Sequence, residues 1–377
     1  MIFSFGLLNV KAEVDLGLNG KSSVLVDNIT GKVLYSFNEN EKLAPASMTK
    51  LASMLLVMEN IDAGKLKLDD KVTISSEAAD MGGSQVFLQE GEVYTVNDLL
   101  KSVAIASGND AVVALAEKIG GSVNGFVDML NKRMTEIGAK NTHFVNPHGL
   151  DAQDHYSTAL DMSIIARELL KHPKILEFTS IYEDYLVKND GSRTWLVNTN
   201  KLVRFYNGVD GLKTGFTQTA GYCLTATAKK DNFRLISVGM GEETAEKRSS
   251  DTVKLLNYGF NTYKINVIKT KKEILGKVRI ESGKKEFANV VLLNDAIELL
   301  KNSDEVGNYK FDVKVKAVKA PIQAGDVVGT ALILDEDNNV IDEVDITVDE
   351  NIQKANLFDY LIKNMQVMSI GKKVLKQ

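Results

Sequence analysis

The spacing of apolar residues changes period several times along the chain. From Ser22 to Phe37 apolar and polar residues alternate, with a break at Asp27-Asn28-Ile29-Thr30-Gly31. A period of two interrupted by turn residues predicts a β-hairpin. From about Ala46 to Lys171 the spacing becomes helical. Leu51, Met54, Leu55 and Met58 fall at i, i+3, i+4 and i+7, which is one face of a helix. Further helices are predicted over Val96 to Ile105 and over Ala111 to Ile119, the latter stopped by Gly120-Gly121. Another carries Phe126, Leu130, Met134 and Ile137 and stops at Gly138. The last of the series starts at a Ser157 cap and runs to Lys171, ahead of His172-Pro173.

Strand character then returns. Tyr222 to Ala228 and Phe233 to Met240 are short, β-rich and adjacent, so they are expected to pair as a hairpin. Ala245 to Tyr263 is helical again, with Val253, Leu256 and Phe260 on one side. A hairpin, a block of helices, more strands and a final helix imply an α+β domain on an antiparallel sheet. Residues 265–350 are valine- and isoleucine-rich runs punctuated by Gly-Lys, Asp-Asn and Ala-Gly, a small separate β domain. The expected organisation is therefore a leader at 1–12, a main domain at 13–264, a β-rich domain at 265–350 and a tail at 351–377.

The two ends carry their own signals. The first residues are apolar and close on Val10-Lys11-Ala12, a small-x-small pattern suited to a signal peptidase. They predict a signal peptide whose start lies upstream of Met1, with an N-terminal core strand as the alternative. In the tail, Ile352, Ala355, Phe358, Leu361, Ile362, Met365 and Met368 recur at three- and four-residue spacing. Five lysines against Asp359 give the last 27 residues a charge of +4. Such a basic amphipathic helix either lies in a membrane interface or docks on its own protein.

Composition narrows the chemistry. The net charge is −5, so no basic excess exists to neutralise a phosphate backbone, which argues against nucleic acid as the main partner. A lone cysteine, Cys223, excludes internal disulfides and cysteine-clustered metal sites. No His-Glu-x-x-His or Gly-x-Ser-x-Gly pattern occurs. His148, within Asn146-Pro147-His148-Gly149-Leu150-Asp151, reads as a turn histidine rather than a catalytic one.

Ser47-Met48-Thr49-Lys50 stands out at the start of a helix. Three residues is nearly one turn, so Ser47 and Lys50 project to the same side. A serine hydroxyl needs a base, and a neutral lysine one turn away can serve. Free N–H groups at a helix N-terminus face developing negative charge. Ser-x-x-Lys also occurs at Ser282–Lys285 and Ser369–Lys372, so the pattern alone is weak. Two companions strengthen it. Ser107-Gly108-Asn109 follows Ser47 by 60 residues, between two helices, and Lys213-Thr214-Gly215 follows Ser107 by 106, just before a strand pair. The three patterns in this order are the set of penicillin-binding proteins and class A β-lactamases.

The chain resembles the low-molecular-mass penicillin-binding proteins, serine-type D-alanyl-D-alanine carboxypeptidases of the peptidase S11 type. The likeness rests on Ala44 to Lys50, Ala106 to Ala111, Val209 to Thr217, Ala220-Gly221-Tyr222 and Gly325 to Thr330. It implies a β-lactamase/transpeptidase-like catalytic domain, then the β-rich domain and the amphipathic helix. It also implies roles. Ser47 would be the acyl-ester nucleophile, Lys50 the base and Ser107 a proton shuttle bridging Lys50 and Lys213. Asn109 would hold the substrate amide, and Lys213, Thr214, Gly215 and Arg248 would receive the terminal carboxylate. Backbone N–H groups of Ser47 and Phe216 would form the oxyanion hole. Some relatives carry histidine where Phe216 stands, so a side-chain contribution to deacylation would be lost here. The implied partners are peptidoglycan stems ending in D-Ala-D-Ala, β-lactam antibiotics and the outer face of the cytoplasmic membrane. No metal or organic cofactor is implied. A β-lactamase is the first alternative, although no Glu-x-x-x-Asn segment lies between Asn109 and Lys213. A catalytically silent relative is the second.

Overall fold

Residues 14–361 are described by a computed structural model of the chain. They divide into two compact units between Asn261 and Thr262. In the first, five antiparallel strands lie in the spatial order Val33–Phe37, Ser22–Asp27, Phe233–Glu242, Gly221–Lys230, Val209–Thr217. The two predicted hairpins are both present, and Val209–Thr217 adds an edge strand. Alternation sorts the strand Ser22–Asp27 onto two faces. Val24 and Val26 join the main apolar core. Leu25 points the other way, where it and Leu235 press on Gly259 of the helix Ala245–Thr262, so that a Cβ there would come within 2.9 Å of both leucine side chains.

The helix Lys50–Asp62 is buried on every side from Lys50 to Met58, so the four-residue stripe read from the sequence understates it. It packs against Asn109–Gly120, Val123–Ile137 and Ala159–Leu169. A helix apolar all round belongs in a core, and this one delivers its first turn to the middle of the unit. The helix Val96–Ala106 opens with a reciprocal Thr95/Asp98 capping box. Its end is turned by Ser107 at φ +63°, in the left-handed region.

Three expectations change. The cap of Ala159–Leu169 is Thr158, whose hydroxyl accepts from the Asp161 N–H at 3.0 Å; Ser157 instead pairs in a backbone bridge with Leu43. The helical block also contains a short ribbon, Lys71–Thr73 with Val93–Thr95, too brief to show a period. A second ribbon, Glu183–Val187 with Arg193–Val197, is not legible in the sequence, because its outward positions hold exposed Tyr185, Val187 and Trp195, which blur the alternation.

The second unit begins with the strand Tyr263–Lys269, paired with Ala296–Lys301. A six-stranded sheet follows, with Val290, Leu292, Ala331, Ile333, Val344 and Ile346 in its core. The tail departs from the expected helix over 351–377. Ile352 exchanges backbone hydrogen bonds with Ile322, and the Ala355 N–H donates to Ser282 O at 2.8 Å. Available strand-edge partners hold this stretch extended, and Ile352 and Ala355 are buried there. Helix begins only after Asn356, whose side chain and that of Asp359 cap each other's backbone N–H. It covers 357–361, with Leu357, Phe358 and Leu361 exposed. The rest of the expected amphipathic helix, and the whole expected signal peptide at 1–12, lie outside the described residues.

Candidate active site

Ser47 sits in the tight helical turn Ala46–Thr49 that leads into Lys50–Asp62. Lys50 Nζ lies 2.9 Å from Ser47 Oγ, 2.6 Å from Asn109 Oδ1 and 2.7 Å from the His148 carbonyl oxygen. The lysine is fully buried. Burial, and then the nearby Lys213 charge, hold its pKa well below the ordinary lysine value, against a smaller opposing pull from Asp110. A neutral amine has two N–H donors and one lone pair. Asn109 Oδ1 and His148 O can only accept, so they take both donors. In that neutral form the lone pair is left facing the Ser47 hydroxyl, the geometry of a base and its proton donor.

Asn109 is held from both sides. Its N–H donates to Ser84 O at 2.7 Å and its Nδ2 to Gly82 O at 2.7 Å. Beside it, the buried Asp110 carboxylate accepts from the N–H groups of Val86 at 3.0 Å and Leu88 at 3.1 Å. The pair thus fastens the 82–88 segment along one wall. Ser107 is buried at the left-handed turn between the two helices. Among the described residues neither lysine donates to its hydroxyl; Lys213 Nζ donates to Thr214 O at 3.0 Å.

The opposite wall is the edge strand. Lys213 is buried, and burial followed by the Arg248 charge pushes its pKa down to about 7. Thr214 Oγ1 donates to Thr199 Oγ1 at 2.7 Å. Gly215 lies directly against the serine turn, where a Cβ would come within 2.7 Å of Pro45 O and 3.2 Å of Met48 N. Phe216 is 48% exposed and stacks on Tyr222 with ring centroids 4.3 Å apart. The Arg248 guanidinium lies 6.0 Å from the same Tyr222 ring, and among the described residues its buried Nε has no partner. Of the residues singled out in the sequence, Ser47, Lys50 and Asn109 are joined by direct contacts, the edge strand carrying Lys213, Thr214, Gly215 and Phe216 meets the serine turn at Gly215, and the Arg248 charge acts on Lys213, while Ser107 adjoins them through the turn before Asn109.

Comparison with known proteins identifies the family. Residues 9–244 match the D-alanyl-D-alanine carboxypeptidase family, Peptidase S11. The chain belongs to this carboxypeptidase family. Residues 263–354 of this carboxypeptidase match the penicillin-binding protein 5 C-terminal domain. The D-alanyl-D-alanine carboxypeptidase DacF of Bacillus subtilis is 46% identical over 96% of this chain and 93% of its own length. The structure of penicillin-binding protein 5 from Haemophilus influenzae is 31% identical and superposes with a TM-score of 0.71, covering 89% of this chain and 98% of that one. An ampicillin-bound structure of penicillin-binding protein D2 from Listeria monocytogenes, 32% identical, superposes with a TM-score of 0.59 over 66% of this chain and all of its own (100%).

Several contributors to the carboxypeptidase site escaped the sequence reading. The His148 backbone carbonyl is a Lys50 partner, while its ring does turn work by accepting the Leu150 N–H at 3.1 Å. Burial above all pushes that ring's pKa down to about 3, so it stays neutral. A backbone acceptor leaves no mark in residue type. Asp110 did have a signal, since it directly follows Asn109 in the second pattern, whereas Thr199 lies in none of the patterns.

Proposed function

We propose that the chain removes the terminal D-alanine from peptidoglycan pentapeptide stems through an acyl-enzyme on Ser47. The observation that carries this reading is the 2.9 Å contact between Ser47 Oγ and a buried Lys50 Nζ that also meets Asn109 Oδ1 and the His148 carbonyl, two acceptors for the donors of a neutral amine. Lys50 takes the Ser47 proton as Oγ bonds to the carbonyl carbon between the two D-alanines. The C–N bond then breaks, and the departing amine of D-alanine takes a proton delivered through Ser107. Water afterwards hydrolyses the ester and regenerates Ser47.

Lys213, Thr214 and Arg248 receive the terminal carboxylate, which separates this substrate from an internal peptide bond. The N–H groups of Ser47 and Phe216 stabilise the tetrahedral oxyanion, each donor being worth about 2.7–4 kcal/mol of barrier. Asn109 holds the substrate amide and orients Lys50. Penicillins acylate the same serine, a reading supported by the ampicillin-bound relative. The setting we infer is the outer face of a bacterial cytoplasmic membrane, with the protein exported, held by the tail beyond residue 356, and trimming stems during cell-wall maturation.

The test is intact mass spectrometry with benzylpenicillin, alongside D-alanine release from a pentapeptide. A persistent one-to-one adduct on Ser47, with both activities lost in Ser47→Ala, is the expected outcome. Rapid drug hydrolysis would instead make the protein a β-lactamase. Intact drug with no adduct would make it a silent binder.

A further inference from the structure

We propose that His155 is a positioning residue that aims the Ser47 N–H, acting through the Thr49 hydroxyl and the Ala46 carbonyl. The inference rests on the reading of Ser47 as nucleophile and oxyanion donor.

The chain of hydrogen bonds has a fixed direction. The Val145 N–H donates to His155 Nδ1 at 3.1 Å, so that nitrogen carries no proton. The ring proton of the neutral imidazole is therefore on Nε2, which lies 2.9 Å from Thr49 Oγ1. The Thr49 hydroxyl spends its own proton on Ala46 O at 2.9 Å. Ring N–H, hydroxyl and carbonyl thus form one directed relay. His155, Thr49 and Ala46 are all buried, so water does not compete for any of these bonds. Burial and the nearby His143 hold the His155 pKa down to about 4, which keeps a single neutral tautomer in place at working pH.

The end of the relay matters because of where it stops. Ala46 has φ +47°, in the left-handed region that a side chain disfavours. Its carbonyl oxygen and the Ser47 N–H belong to the same planar peptide unit, pointing in opposite directions. Fixing the direction of Ala46 O therefore fixes the direction of the Ser47 N–H. The enclosure of Ala46 O is tight on another side too: a Cβ on Gly149 would come within 1.8 Å of it. That glycine and His155 lie on the segment that also supplies the His148 carbonyl to Lys50 and accepts Ser53 Oγ at Pro147 O, 2.6 Å away. One segment thus orients both the base and the peptide that carries the oxyanion donor.

Thr49→Val keeps the shape and removes the hydroxyl, and Thr49→Ser keeps the hydroxyl. Stopped-flow acylation by benzylpenicillin separates the initial dissociation constant from the first-order acylation step. Thr49→Val should slow acylation by about ten- to a hundredfold, below the full loss of an oxyanion donor, with the dissociation constant unchanged. Thr49→Ser should restore the rate to within about threefold of wild type. His155→Gln, which retains an N–H near the Nε2 position, should exceed His155→Leu in acylation rate, and this pair serves if Thr49→Val does not fold. A folded Thr49→Val or His155→Leu protein that acylates at the wild-type rate would overturn the relay. Equal losses in the serine and valine variants, or in weakened initial binding alone, would also overturn it. Failure of wild type itself to acylate would instead remove the nucleophile assignment, which separates the two failures.

Discussion

Gly215 on the edge strand lies against Pro45 in the serine turn so closely that a Cβ would sit 2.7 Å from the Pro45 carbonyl oxygen. The contact is backbone to backbone, so no flexible side chain can yield. It sets the width of the cleft between Ser47 and the strand that carries Lys213. Gly215→Ala should force the strand and turn apart. Overpacking of this kind costs about 1–3 kcal/mol of stability. A displacement near 1 Å at the reacting centre can cost about a hundredfold in rate. Melting temperature and the benzylpenicillin acylation rate check both expectations, and an unchanged rate would show that the strand position is not critical.

Lys213 gives the proposed carboxylate site a pH dependence. Its pKa is pushed down to about 7 by burial and then by Arg248. In the free protein the ammonium is therefore present below pH 7 and is lost as pH rises through it. A bound carboxylate restores the charge, so binding above pH 7 takes up a proton. Calorimetry of a D-Ala-D-Ala peptide with Ser47→Ala, in buffers of different ionisation enthalpy, should register uptake of about one proton at pH 8 and almost none at pH 5.5. Affinity should fall with pH in step. Equal proton balance at both values would contradict the assignment of the carboxylate to Lys213.

Glu242 carries a stability signature separate from the cleft. Its side chain is buried, and among the described residues Oε2 has no hydrogen-bond partner. Burial, and then the Asp251 carboxylate beside it, push its pKa up to about 7. The folded state thus binds this proton more tightly than the unfolded chain. Stability on this account is full below the unfolded carboxyl pKa and is lost as pH rises through 7. Glu242→Gln should raise the melting temperature by several degrees at pH 8 and by much less at pH 4. Scanning calorimetry at the two values decides it, and an equal shift at both would rule out the titration.

Much of the fold was legible because its signals are local. The helix stops at Gly121 and Gly138 and the long final helix follow from residue type and spacing. The hairpin at Ser22–Phe37 follows from period two, and the strand pair within Tyr222–Met240 from two adjacent β-rich runs. Short ribbons such as Lys71–Thr73 with Val93–Thr95 were not legible, since three residues carry no measurable period. The extended run through Ile352 misled for a different reason: helical spacing was present, but the partners that hold it extended, Ile322 and Ser282, are distant in sequence.

The sequence by itself determined which residue types carry the chemistry. Ser-x-x-Lys, Ser-x-Asn and Lys-Thr-Gly supply the proposed nucleophile, base and carboxylate anchor, and a helical turn alone brings Ser47 and Lys50 to one side. Only the tertiary structure decided how the lysine becomes a base. Its depressed pKa comes from burial and from Lys213, which is 163 positions away in the chain. In the neutral form its lone pair faces Ser47, because Asn109 Oδ1 and the His148 carbonyl take its two donors. Desolvation, long-range charge and backbone carbonyls depend on distance in space, and residue type at a single position encodes none of them.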